Sequence, residues 1–139
     1  MLVNRENIKT VIPQREPFIF IDALIHVSPT AFETQFEIRT DNLFLTDQVL
    51  SESALIENIA QTCAAGFGYL ALQETPGEPK LGFIGAVTQV KPTRNATLGA
   101  KITTKIDVLS TFDTIHLVQG SACDEQGELI SCQMKIVLA

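Results

Sequence analysis

Glu57 is the side chain of this sequence best suited to acid–base chemistry. It lies in a run rich in Leu, Ile and Ala, between Ile56 and Ile59. A carboxyl group buried in such surroundings loses water, which raises its pKa and suits it to act as a general acid or base. Charged side chains are seldom buried without a reason. The alternative is a Glu57 that faces solvent or pairs with a lysine on a strand.

Two amides follow Glu57 in the same run and could orient a substrate through hydrogen bonds. They belong to Asn58 and Gln61, and each offers both donors and an acceptor. Either amide could instead bind the backbone of a loop, and for Gln61 that structural role is at least as well supported. We keep both as candidate substrate-binding residues, with the structural role as the alternative.

The remaining reactive side chains form no recognisable site. The cysteines, at positions 63, 123 and 132, are odd in number and include no Cys-x-x-Cys pair. We therefore expect buried, unreactive thiols, with neither a disulfide framework nor a zinc site. His26 and His116 each lie among apolar residues of a predicted strand, so we favour a structural or surface histidine in both cases. No metal and no cofactor is expected.

The composition is that of an ordinary globular domain. The chain has 139 residues, 45% of them hydrophobic and 19% charged, so residues 1–139 are expected to form a single domain with a sizeable core. The net charge of −6 argues against a nucleic-acid-binding protein, which needs a dense cationic face. No apolar run is long enough to cross a membrane, and the N-terminus lacks the apolar stretch of a signal peptide. We expect a soluble, cytoplasmic protein.

A predicted helix over residues 51–73 positions Glu57. Apolar side chains recur in it at three- and four-residue steps, including Leu55, Ile59, Cys63, Phe67 and Leu70. Ser51 can cap its N-terminus, and Glu52 lies in the first turn, where the helix dipole favours negative charge. Because small or apolar residues cover much of its surface, the helix is expected to be buried. The loop 74–80, with two prolines and a glycine, ends it.

Six strands are predicted around this helix. They span residues 18–27, 31–39, 81–91, 99–109, 114–123 and 129–138, and several alternate apolar and polar side chains. Residues 124–127 predict a hairpin turn. The economical way to cover one apolar helix is a curved antiparallel sheet of five or six strands wrapped around it, an α+β arrangement known as the hot-dog fold. Sheet edges in such a fold are shielded by pairing, so we expect a homodimer or a higher even oligomer.

Three stretches resemble the hot-dog 3-hydroxyacyl-[acyl-carrier-protein] dehydratases. The first stretch is similar to the family's opening motif, Leu-Pro-His-Arg-x-Pro-Phe-x-x-x-Asp. It reads Ile12-Pro-Gln-Arg-Glu-Pro-Phe-Ile-Phe-Ile-Asp22. Leu55-Ile-Glu-Asn-Ile-Ala-Gln61 is similar to its helix segment with Glu-Ala-x-Ala-Gln. The third stretch is less closely similar to the family's Lys-x-x-Arg-Pro-Val-x-Pro-Gly segment. It reads Val90-Lys-Pro-Thr-Arg-Asn-Ala-Thr-Leu-Gly99. The matches occur in the family's order and imply the same fold.

The departures from the family pattern centre on its catalytic histidine. In the family a His-Phe-Pro-Gly segment precedes the helix, and its histidine stands fourteen positions ahead of the helix carboxylate. With Glu57 as that carboxylate, the position falls on Leu43, with Asn42 beside it. Ser51-Glu52 replaces the Pro-Gly pair, and Gln14 replaces the histidine of the opening motif. The sequence therefore resembles a divergent member that lacks the catalytic histidine.

The resemblance implies chemistry on acyl thioesters carried by acyl carrier protein or coenzyme A, in fatty acid or polyketide biosynthesis. Dehydration of a 3-hydroxyacyl thioester needs a base for the proton next to the carbonyl and an acid for the leaving hydroxyl. The resemblance gives the acid role to Glu57. Asn42 and Leu43 would line the place of the lost histidine, and amides at the helix N-terminus, near Glu52, would hold the carbonyl.

Three functions stay open on the sequence alone. The first is a dehydratase-like protein that acts on or binds acyl thioesters with Glu57 as its titrating group. The second is an acyl-thioesterase in which Glu57 alone activates water or acts as nucleophile. The third is a non-catalytic acyl-binding subunit of a heterodimer whose other hot-dog chain brings the histidine.

Overall fold

A long helix lies against an antiparallel sheet. The computed structural model describes residues 1–77 and 82–138. The elements in chain order are a 3₁₀ turn at Ile8–Thr10, β1 (Ala23–Ser28), β2 (Ala31–Glu37), β3 (Leu45–Thr46), β4 (Val49–Leu50), α1 (Glu52–Glu74), β5 (Gly82–Pro92), β6 (Ala96–Thr97), β7 (Lys101–Phe112), β8 (Ile115–Asp124) and β9 (Gly127–Leu138). The main sheet has the order β1-β2-β7-β8-β9-β5, and β3-β4-β6 form a small second sheet. The predicted α+β architecture is confirmed.

Helix α1 has nearly its predicted bounds. Ser51 is its N-cap, and the Ser51 hydroxyl accepts a hydrogen bond from the Ala54 N–H at 3.3 Å, which satisfies one of the free amides of the first turn. The helix continues to Glu74, so it takes in the first residue of the predicted loop. Residues 78–80 of that loop lie outside the described residues.

The first predicted strand is shorter in the structure. Strand β1 begins at Ala23, and the segment before it is not a strand. The reason is that side chains of α1 take the backbone groups that a strand would need: Gln61 and Asn58 bind the amide and carbonyl of Phe20. Strand β5 begins at Gly82, while Leu81, its predicted first residue, is outside the described part of the chain.

The short strands β3, β4 and β6 were not predicted. Each has two residues, which is too few to show an alternating pattern. The hairpin at residues 124–127 is confirmed, because Asp124 pairs with Gly127 at its end. Gly127 has φ +123°, a conformation that favours glycine.

The core lies between α1 and the sheet. Ile59 packs where β8 carries a glycine, and a Cβ at Gly120 would lie 2.5 Å from the Ile59 Cγ2. Two turns further along the same helix face, a Cβ at Gly66 would overlap the Phe32 ring. A second apolar cluster covers another flank of the helix with the N-terminal segment, and it contains Val3, Ile8, Val11, Ile12, Ile21, Leu24 and Ala65. The helix is buried on two flanks as a result.

The two edges of the main sheet differ. The N-terminal segment covers the β1 edge, where Val3 bridges to Leu24. At the other edge, no strand among residues 1–77 and 82–138 pairs with the outer side of β5. Three large apolar side chains on β5 are exposed: Phe83 at 54%, Ile84 at 46% and Val87 at 37%. Such an edge is a template for pairing with another chain.

Candidate functional site

An apolar cavity runs along the remaining flank of α1, beside the open β5 edge. Its volume is about 530 Å³, within the usual range for small-molecule sites. One wall is the helix face formed by Glu57, Ala60, Ala64, Phe67, Leu70, Ala71 and Glu74. These positions recur at three- and four-residue steps and therefore share one side of the helix. We call this space the Glu57 cavity.

The sheet and the N-terminal segment form the other walls of the Glu57 cavity. His116, Ile136 and Ile84 are direct neighbours across β8, β9 and β5, and all three line the cavity. Gly82, Phe83 and Leu138 complete the sheet wall, and Gln14 enters from the N-terminal segment. Most of the lining is therefore apolar, with a few polar groups, as in many ligand sites.

Glu57 is held half-buried in the wall of this cavity. Its Oε2 atom is buried and has no hydrogen-bond partner among residues 1–77 and 82–138. Burial raises the pKa of the Glu57 carboxyl, and the nearby Gln61 amide offsets part of that rise. The cause is loss of solvent, which disfavours the charged form. A carboxyl group in this state keeps its proton to a higher pH than usual and can deliver it to a bound molecule.

Gln14 lines the same cavity, and its Oε1 atom is also buried, with no partner in the described part of the chain. The Arg15 guanidinium fixes the loop that carries it, because it donates hydrogen bonds to the carbonyls of Ile12 at 2.9 Å and Gln14 at 2.7 Å. From the sequence, Gln14 was identified only as the residue that replaces the histidine of the family's opening motif. The signal for a role in the site was its place in that opening motif.

The predicted substrate-binding amides of Asn58 and Gln61 do not line the Glu57 cavity. Gln61 accepts the Phe20 amide at 2.7 Å and donates to the Phe18 carbonyl at 2.8 Å, and Asn58 donates to the Phe20 carbonyl at 2.7 Å. The Thr104 hydroxyl donates to the Asn58 oxygen. Both amides thus adopt the structural alternative, and they hold the segment that follows Gln14 against α1.

The other predicted site residues also lie apart from Glu57 in this chain. Glu52 is exposed in the first turn of α1. Asn42 accepts the Phe44 amide at 2.8 Å and lines a different depression, between Arg39 and the N-terminal segment. Leu43 is 64% exposed. None of these three side chains lines the Glu57 cavity.

His116 lines the cavity at a distance from Glu57. Its ring packs against Phe67 with centroids 4.5 Å apart, and its Nδ1 lies 2.9 Å from the Thr111 hydroxyl. Burial lowers the pKa of His116, so its ring is neutral near pH 7. Phe67 is ten residues beyond Glu57, or about 15 Å along a helix at about 1.5 Å per residue. His116 therefore cannot exchange a proton directly with Glu57, and His26 is exposed on β1.

The thiols supply no further chemistry. Cys63 and Cys132 are buried, and Cys123 is partly so; burial raises the pKa of Cys132 to about 11 and that of Cys63 further. In the described ranges 1–77 and 82–138, no group of His, Cys, Asp and Glu side chains could hold a metal ion. The same ranges contain no helix with the length and apolar character that a membrane span requires.

Comparisons with known proteins agree on one family and one fold. The family model described as ApeP-like, ApeP dehydratase, matches residues 6–138. The 3-hydroxyacyl-[acyl-carrier-protein] dehydratase FabZ of Clostridium kluyveri is 25% identical over 123 residues, which cover 84% of this chain and 83% of that protein.

Among solved structures, the dehydratase heterocomplex ApeI:P from Xenorhabdus doucetiae matches with a TM-score of 0.85 at 17% identity, over 95% of this chain and 90% of that chain. A hypothetical thioesterase with coenzyme A from Streptococcus pneumoniae matches with a TM-score of 0.67 at 8% identity, over 84% of each chain. Likenesses at such low identity show the fold alone, and they confirm the predicted hot-dog fold.

Proposed function

The chain belongs to the ApeP-like dehydratase family, and from that premise we propose that it acts on 3-hydroxyacyl thioesters as one subunit of a hot-dog pair. Glu57 is the proton donor in this proposal. The observation that carries it is the half-buried Glu57 carboxyl in the wall of an apolar cavity, where one of its oxygens has no partner among the described residues. A raised pKa suits a group that must hold its proton until the substrate accepts it.

Dehydration divides into two proton transfers. A base takes the proton from C2, and the electron pair of that C–H bond forms the C2=C3 double bond. The C3–O bond breaks, its electron pair stays on oxygen, and Glu57 protonates the leaving hydroxyl so that water departs. The apolar walls keep bulk water from competing for this proton. Each turnover leaves Glu57 ionised and the base protonated, and a return of the proton restores both.

The base comes from a second subunit in this proposal. The chain has two histidines. His116 packs against Phe67, which lies about 15 Å along the helix from Glu57, and His26 is exposed on β1. The outer edge of β5 offers exposed apolar side chains next to the cavity, and no strand in the described ranges pairs with its backbone. A second hot-dog chain that adds an antiparallel strand there would cover the cavity and present its own residues to it. The related ApeI:P structure is a dehydratase heterocomplex, which supports a partner with a different sequence.

Subunit pairing also gives the remaining predicted residues a place to act. We propose that Asn42, Leu43 and Glu52 face the cavity of the partner, where the family's histidine segment would lie. The proposed substrates are carried by acyl carrier protein or coenzyme A, in fatty acid or polyketide biosynthesis in the cytoplasm. We propose that residues 1–139 act as a single domain in this assembly.

Thioester hydrolysis is the second candidate. Glu57 is the titratable carboxyl at one end of the cavity, and a single carboxylate can activate a water for attack on a thioester. A structural likeness to a hypothetical thioesterase is compatible with this chemistry through the fold. A third possibility is a subunit that binds the acyl chain while the partner performs all proton transfer.

Product analysis separates these functions. The chain is assayed alone and after co-expression with a hot-dog dehydratase of its own organism that carries the family's histidine, with 3-hydroxydodecanoyl and dodecanoyl pantetheine thioesters. The proposal expects an enoyl product from the complex, no free thiol, and loss of the enoyl product in Glu57→Gln. Glu74→Gln, at the far end of the same cavity, is the matched control and should keep activity. Thiol release would favour hydrolysis, and an enoyl product that survives Glu57→Gln would favour passive acyl binding.

A further inference from the structure

We infer that Gln14 binds the 3-hydroxyl group of the substrate and thereby selects 3-hydroxyacyl chains over unsubstituted acyl chains. The inference rests on the proposed function and assigns a specificity-determining residue to the same cavity. It assigns a substrate contact to a residue outside the helix, in the loop that precedes β1.

Two buried oxygen atoms without a hydrogen-bond partner in the described part of the chain carry this inference. Among the described residues, the buried side-chain oxygens or nitrogens that lack a hydrogen-bond partner are Gln14 Oε1 and Glu57 Oε2, and both residues line the Glu57 cavity. Buried polar atoms in native proteins are nearly always partnered, and leaving one unpaired is costly. Two such atoms on residues that line one cavity point to a ligand that carries a hydrogen-bonding group.

In the proposed complex, a hydroxyl on C3 lies between the two side chains and bonds to both. A protonated Glu57 donates to the hydroxyl oxygen, and the hydroxyl hydrogen is donated to Gln14 Oε1. The Gln14 amide could also turn and donate through its nitrogen, and a hydroxyl can accept as well as donate. A saturated chain offers no partner in either orientation. The same contact aims the leaving oxygen at the proton that Glu57 delivers.

The loop around Gln14 is held firmly enough for such selection. Arg15 ties the carbonyls of Ile12 and Gln14 together. Gln61 and Asn58 bind the backbone of Phe18 and Phe20 just beyond. Because these bonds fix the loop on both sides of Gln14, its amide is positioned before the substrate arrives, which lowers the entropic cost of binding.

Paired ligands test the inference. The probes are amide analogues of 3-hydroxydodecanoyl and dodecanoyl pantetheine, which are poor substrates for elimination, and their Kd values are measured on the full chain and on its complex. The variant is Gln14→Met, which keeps the length of the side chain and removes its hydrogen bonds. Gln35→Met, at an exposed position on β2, is the control for the glutamine-to-methionine change itself.

The expected result is a preference of the wild-type protein for the hydroxylated probe by roughly tenfold, the scale of one buried hydrogen bond. Gln14→Met should bring that ratio close to one and leave the Kd of the plain chain within about twofold, while Gln35→Met keeps the preference. Gln14→Met should also raise Tm by a few degrees, because it removes an unpaired buried oxygen. A purely structural glutamine would instead lower Tm on replacement.

Two other results would overturn the inference. If wild-type protein binds both probes equally, or if the preference survives Gln14→Met, Gln14 does not select the hydroxyl, although the cavity remains an acyl site. If neither probe binds the chain or its complex, the proposed function and this inference both fail.

Discussion

The imidazole of His116 packs on the ring of Phe67, with centroids 4.5 Å apart, on the same cavity wall that carries Glu57. Phe67 lies about 15 Å along α1 from Glu57, so this pair marks the far part of the cavity. At about 1.2 Å per bond of extended chain, the stretch between them would hold roughly twelve bonds. The cavity is therefore suited to a medium-length acyl tail.

A larger side chain in the middle of the cavity should limit the length of the acyl chains that the cavity can bind. Ala64→Leu adds three carbons to the helix wall about 10 Å from Glu57. We expect KM for 3-hydroxydodecanoyl pantetheine to rise about tenfold or more, because the larger side chain fills space that the tail needs. KM for 3-hydroxybutanoyl pantetheine should stay within about twofold. Equal effects on both substrates would show that the tail does not lie along this wall.

Glu57 should lower the stability of the folded chain at neutral pH. Its pKa is raised on folding above the ordinary 4.5, so the folded state holds a proton that the unfolded state releases. The free energy of unfolding therefore falls as pH rises from about 4.5 to the pKa of Glu57 in the folded state. Above that pKa, Glu57 causes no further change with pH. Glu57→Gln removes the decline, and it should stabilise the protein at pH 7.5 more than at pH 5.

Urea unfolding of the isolated chain at several pH values measures this effect. Glu74→Gln provides the comparison, because Glu74 is an exposed residue of the same helix. A Glu57→Gln variant that is less stable than wild type by the same amount at every pH would show that the carboxyl makes a favourable contact instead of bearing a burial cost.

The exposed edge of β5 should hold the subunits together. Val87→Lys places a charge on that edge at a position that does not line the cavity, and edge lysines oppose strand pairing. We expect light scattering to show dissociation to the isolated subunit, with loss of dehydration. Leu109→Lys, at a 52% exposed position of β7, should leave the assembly intact. An assembly that survives Val87→Lys would place the subunit interface elsewhere.

Glycine at position 66 should be needed for the core. A Cβ there would overlap the Phe32 ring, and overpacking of this kind costs about 1–3 kcal/mol. The helix propensity gained by replacing glycine with alanine is only about 1 kcal/mol. Gly66→Ala should therefore lower the free energy of unfolding, in contrast to Gln73→Ala at an exposed position of the same helix. A stability equal to or above that of wild type would mean that Phe32 moves aside freely.

The fold could be predicted because its signals are periodic and local. The apolar spacing of α1 and its Ser51 cap predicted nearly the observed bounds of the helix. For five of the six long strands, the observed first residue lies within two positions of the predicted one or at the border of the described residues. The exception, before Ala23, depends on side chains of Gln61 and Asn58 that lie some 40 positions away and take the backbone hydrogen bonds. The local sequence around residues 18–22 therefore cannot show that hydrogen bonds from distant side chains replace strand pairing there.

The site was only partly predictable for a related reason. Glu57 could be identified because a charged residue within an apolar run is visible in the sequence itself. The structure places it in a cavity wall. Gln14 and His116 reach the same cavity from the N-terminal segment and from β8, through tertiary packing and sheet register. Asn42 and Leu43 were chosen by counting positions against a family motif, and their role as substrate-binding residues stays a prediction that requires the second subunit.

The rate of dehydration by the complex with Glu57→Gln tests the central claim most directly. Removing a general acid costs about 10²–10⁴ in rate, so kcat at pH 7 should fall at least a hundredfold, with KM within about threefold because glutamine keeps the shape of the side chain. Glu74→Gln should keep kcat within about twofold. A Glu57→Gln complex that retains more than a third of wild-type kcat would contradict the account, since the proton would then come from another group.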